Sequence, residues 1–122
     1  MNGRGEKMLH QLKIESKYFQ KIVEGKKTYE VRKNDRDFHK GDYLGLNEIT
    51  DHVCNEEGER LETGNFLLVK VLDVLSDDRF VKPGHVIMSI RPCAIKEMEW
   101  DYAPWYSESD AKVPLVPKIE GI

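Results

Sequence analysis

One helical stripe set among short alternating runs is what most limits the fold of this chain. Tyr18, Phe19, Ile22 and Val23 recur at the spacing of a helix that packs one face on a sheet. Ser16 precedes the stripe, and its hydroxyl can cap the amides of the first turn. Gly25 follows it and can take the left-handed conformation that ends a helix without strain. So short a helix is not stable alone, and tertiary packing must hold it. Around it, residues 8–14, 28–34, 42–50, 66–75 and 85–91 each read as a strand. The order is β-α-β-β-β-β, mainly β with one or two short helices. Many short strands with so little helix predict a small, mostly antiparallel α+β barrel with the helix at one end. Closure into a barrel would also remove exposed sheet edges.

The strands carry their own facing information. Leu12 and Ile14 share one face of the first, Leu44 and Leu46 point inward on the third, and Val86, Met88 and Ile90 share one side of the last. Leu67, Leu68, Val69 and Val71 suggest burial on both faces of the fourth. Asn34-Asp35, Lys40-Gly41-Asp42 and Lys82-Pro83-Gly84 are turn signals. Residues 51–64 read as an acidic loop, and Pro92 as the end of the last strand. The domain therefore spans 8–92, after a flexible leader at 1–7. The 122 residues suffice for one core without staples. Residues 93–122 form an irregular tail with Pro104, Pro114 and Pro117. Trp100, Tyr102, Trp105 and Tyr106 nonetheless cluster in it. Docking of these rings and disorder both remain open, and Trp100 and Trp105 are the candidates for contact with a protein partner. No apolar run is long enough to cross a membrane. No apolar stretch of a signal peptide follows the polar start. A cytoplasmic protein with Cys54 and Cys93 as free thiols is expected.

Net charge is −3 at neutral pH. Its distribution is uneven. Residues 25–40 hold Lys26, Lys27, Arg32, Lys33, Arg36 and Lys40 against Glu30, Asp35 and Asp37. The acids concentrate in residues 51–64 and 93–122. A basic patch on an acidic protein can select an anionic ligand and still repel bulk polyanions. A solvated mixed-charge surface would look the same in composition.

The strand at 28–34 divides by parity. Tyr29 and Val31 are expected in the core, with Glu30 and Arg32 about 7 Å apart on the opposite face, facing a cleft. Arg32 there could hold a phosphate or a base edge, and Glu30 could accept from an amine or hydroxyl. A surface ion pair worth little is the plainer alternative. Lys27 sits at the strand entrance, as a phosphate contact or, with a lowered pKa, a base. Lys26, Lys33, Arg36 and Lys40 would form a rim for a nucleic-acid backbone. Tyr29, Phe38 and Tyr43 are possible stacking platforms, and Phe38, in a turn, is the better candidate. Asp51, His52 and Cys54 lack the spacing of a zinc site. No Gly-rich phosphate loop is present, and no cofactor is implied. His10 and His85 read as satisfied sheet residues.

The motif Gly25-x-Lys27-x-x-Glu30-x-Arg32 resembles the signature of ASCH domains, small β-barrels of the PUA-like superfamily. The resemblance runs from about His10 to Pro92, through the Lys33-Asn34-Asp35-Arg36-Asp37-Phe38 stretch and the closing Val86-to-Pro92 strand. It is similar above all to a bacterial and phage subgroup of unassigned function. It implies a barrel that binds RNA, a nucleotide or a modified nucleoside in a cleft lined by Lys27, Glu30 and Arg32, with Lys33, Arg36 and Phe38 beside it. Some members resemble amidohydrolases acting on an acetylated cytidine nucleoside, and others ribonucleases. The amidohydrolases use a lysine, a threonine and a glutamate. Lys27 matches that lysine, but Glu30 stands where the threonine belongs, and no residue matches the glutamate. A hydrolase using Lys27 and Glu30 is thus the alternative, and an interaction module using the aromatic tail the second.

Overall fold

Alternation decides the first strand. His10, Leu12 and Ile14 are buried in β1 (Leu9–Glu15) and the residues between them are not. The computed structural model describes residues 6–96 and the pair 101–102. After β1 come α1 (Ser16–Val23), β2 (Tyr29–Lys33), β3 (Tyr43–Cys54), β4 (Arg60–Leu75), β5 (His85–Lys96) and the short β6 (Asp101–Tyr102). The expected order is borne out, with one helix and one added strand. The strands form one sheet in the order β1-β3-β4-β5-β2, with β6 also on β5. β1 runs parallel to β3, and every other pairing is antiparallel. The sheet curls into a half-barrel. Phe19 and Ile22 of α1 are buried with Leu44, Leu46, Val69 and Met88 in one core.

Several local expectations are corrected. Ser16 does not cap the helix: its hydroxyl donates to the Ile49 carbonyl at 2.9 Å, and Glu15 stands at the cap without a side-chain bond. The acidic segment is mostly strand. β3 continues through Asp51 to Cys54, β4 starts at Arg60, and only residues 55–59 turn. Asn55 makes that turn tight, its Oδ1 accepting the Glu57 and Glu59 amides at 3.0 and 2.9 Å. Nor does Pro92 end β5. It lies opposite Val69, where the register with β4 shifts, and a bulge tolerates the missing amide. Among the described residues the sheet is not closed by backbone pairing, because β1 and β2 are the ends of the strand path.

Among the described residues no helix is long and apolar enough to cross a membrane. Trp100 and Trp105, the candidate protein contacts, lie outside the described residues.

Candidate functional site

The site begins with the end of α1. Gly25 adopts φ +77°, and its N–H donates to the Ile22 carbonyl at 3.0 Å. The Lys26 and Lys27 amides both donate to the Lys21 carbonyl, at 2.9 and 3.1 Å. These bonds satisfy the Lys21 and Ile22 carbonyls near the helix end and reverse the chain. The residues that follow return beside the helix they left. The Lys27 ammonium therefore lies 5.8 Å from the centre of the Tyr18 ring and 4.8 Å from that of Tyr29. Both distances are those of a cation–π contact.

β2 then pairs with β5, placing Glu30 opposite Met88 and Arg32 opposite Val86. Residues directly opposite share a face. Met88 and Val86 belong to the core, so Glu30 and Arg32 stand on the inner face. The parity expected from the sequence is thus reversed. Glu30 is 3% exposed, whereas Tyr29 and Val31 are 48% and 50% exposed.

A carboxylate buried this way needs partners. Lys27 donates to one Glu30 oxygen, and Arg32 Nε donates to the other at 2.8 Å. Lys27 also donates to the Tyr29 carbonyl. Arg32 reaches further. Its second guanidinium nitrogen donates to the Lys13 carbonyl on β1 at 2.9 Å. One guanidinium thus joins the buried carboxylate to the far edge of the sheet.

The curl brings β1 and β2 face to face across this seam. Between them lies a cavity of about 430 Å³. Lys13, Ile14 and Glu15 line it from β1, Tyr18 from α1, and Lys27 with residues 29–32 from the other side. Three cations face two carboxylates, so the cavity is net positive. Both Glu30 oxygens already accept from cations, and binding a metal there would release one of them. The arrangement suits a ligand with an anionic group and a flat face.

Glu15 carries the titratable rim of this cavity. The Arg60 guanidinium bonded to it holds its carboxyl below the ordinary value of 4.5, with Lys17 adding a smaller pull. The folded pKa is depressed, so the associated stabilisation is present above pH 4.5 and is lost as pH falls through the folded value. In Arg60→Ala the Glu15 pKa, followed by carboxyl NMR, is expected to return toward 4.5. An unchanged titration would show that Arg60 is not its partner.

The structure brings Lys27, Glu30 and Arg32 together, but not the other sequence candidates. Lys33 is exposed at the end of β2, opposite His85. Arg36 is exposed outside the cavity, and its guanidinium donates to the Gln11 carbonyl at 3.0 Å. Phe38 is no stacking platform. It is 6% exposed within the core, edge-on to the His10 ring at 4.8 Å. Sequence reasoning missed Tyr18 and Lys13, and it assigned Tyr29 to the core, where the structure leaves it half-exposed. Gly25 was the signal for the two tyrosines, because a chain that reverses there lays residues 27–29 back along the helix.

The model of one family, described as a domain of unknown function (DUF3850), matches residues 9–90. The chain belongs to the DUF3850 family. The DUF3850 span runs from the first residue of β1 into β5 and contains every residue that lines the cavity. The chain is also similar to the "Uncharacterized 12.9 kDa protein in GpA 3'region" of Escherichia phage P2. The two are 33% identical over 88 residues, which is 72% of this chain and 77% of the phage protein.

Proposed function

We propose that the seam cavity binds a nucleotide or nucleoside unit, free or within an RNA strand. One observation carries this reading: in a net-positive cavity of about 430 Å³, the Lys27 ammonium of the Lys27–Glu30–Arg32 cluster lies near two half-exposed tyrosine rings, Tyr18 and Tyr29. Exposed rings are sequence-tolerant platforms for a base. Arginine held in one orientation recognises phosphate through paired donors. The likeness of the Gly25-to-Arg32 motif to ASCH domains supports the same reading, as does a curled sheet with one helix beside its seam, the outline of a PUA-like barrel.

Titration calorimetry with AMP, cytidine and hexauridylate tests it. Arg32→Ala is expected to weaken AMP about tenfold or more, since it removes a charge-assisted contact. Tyr29→Ala should weaken all three ligands by about tenfold through lost stacking, with stability unchanged. No binding by wild type to any of the three would sink the proposal.

The contact between Lys27 and Glu30 favours a second reading, because an amine and a carboxylate in contact can pass a proton. It gives a hydrolase acting on N-acylated cytidine or single-stranded RNA. Turnover by wild type and its loss in Lys27→Met would support it, and no turnover of either substrate would remove it.

A further inference from the structure

We infer that Arg36 is a positioning residue of the cavity, a clip that holds β1 against the exit of β2 and so sets the width of the seam. The inference rests on the nucleotide reading only for what the cavity holds. Its structural part stands alone.

The geometry of β1 comes first. The Leu12 carbonyl accepts from Asn47 of β3 at 3.1 Å, so it faces the sheet. Carbonyls alternate along a strand, and those of Gln11 and Lys13 face the other way, into the seam. Each meets a guanidinium there. Arg32 takes Lys13 at 2.9 Å and Arg36 takes Gln11 at 3.0 Å. β1 and β2 share no ladder, so two arginine side chains stand where backbone bonds would close a barrel. Arg32 is committed to Glu30 as well and lines the cavity. Arg36 does neither.

The placement of Arg36 is fixed from both sides. The Asn34 amide donates to the Gly84 carbonyl at 2.9 Å, and the Phe38 ring is buried. Asp37 takes a left-handed backbone at φ 51°, a conformation that Asp tolerates. A loop pinned two residues before and two residues after Arg36 presents its side chain to one place on β1.

Amide hydrogen exchange on the free protein tests the clip. β1 is an edge strand, so losing a bond on its outer side should let it open more often. In Arg36→Ala the β1 amides that pair with β3 are expected to exchange about three- to tenfold faster, with those of β4 unchanged. A second arm separates a clip from a ligand contact. If hexauridylate binds, its affinity should keep the wild-type dependence on salt in Arg36→Ala. A phosphate contact would instead make that slope shallower by about 0.7. Faster β1 exchange with an unchanged slope supports the clip. Unchanged exchange overturns it, and so does a shallower slope. If hexauridylate fails to bind wild type, the nucleotide reading loses that arm and exchange alone decides the clip.

Discussion

Glu30→Ala is expected to lower the stability of the fold by about 2–3 kcal/mol, near the low end for breaking a buried ion pair. The carboxylate accepts from Lys27 on one oxygen and Arg32 on the other. The two cationic side chains are 10% and 24% exposed, so neither regains full hydration when the carboxylate goes. Arg32 keeps the Lys13 carbonyl and stays partly exposed, which is why the low end applies. In thermal unfolding the loss should appear as a fall of roughly 10 °C in Tm. The cause can be separated from a simple cavity. Removing the stranded ammonium with Lys27→Met in the Glu30→Ala background should recover part of the loss, because it deletes an unpaired buried charge. A cavity effect would make the double variant worse. A single variant within about 0.5 kcal/mol of wild type would show that the cluster is solvated and that Glu30 is a surface residue in energetic terms.

The same cluster shows where the sequence was legible. Lys27, Glu30 and Arg32 could be named as one group because a helix stop and a short strand fix their spacing locally. The face they occupy could not. Five residues of strand with charges on both sides hold no parity of their own, and the register with β5 decides it by setting Met88 opposite Glu30. Phe38 failed for a related reason. Its polar neighbours made it look like a loop tip, while its ring is held by His10, a residue 28 positions earlier. Ser16 is the reverse case. Its position at the helix start is local and was legible, but its hydroxyl is taken by a strand far along the chain. Order, turns and most core positions follow from nearest neighbours. The seam does not, because it exists only once the curl brings the first and last strands of the path together.

Asp42→Ala is the other large effect, expected at about 3 kcal/mol from two part-buried amides and a buried imidazole left without their partner. Asp42 is 1% exposed. Its Oδ1 accepts the Met8 amide at 3.1 Å, and its Oδ2 accepts the His39 amide at 2.9 Å and lies 2.8 Å from His10 Nε2. One carboxylate thus ties the approach to β1, the inner face of β1 and the end of the 34–42 loop. Asn in its place keeps one acceptor but turns an amide toward the other donors. Asp42→Asn should therefore cost about half as much, a loss nearer that of a single neutral hydrogen bond. The consequence for the seam follows from the chain. The loop that Asp42 anchors is the loop that presents Arg36, so Asp42→Asn should speed exchange of the β1 amides as Arg36→Ala does. Combining the two should add little further at β1, and the global loss should fall short of the sum, because one step lies upstream of the other. Full additivity in the β1 exchange would mean that Asp42 supports β1 directly through Met8 and His10, and that the loop is not its route.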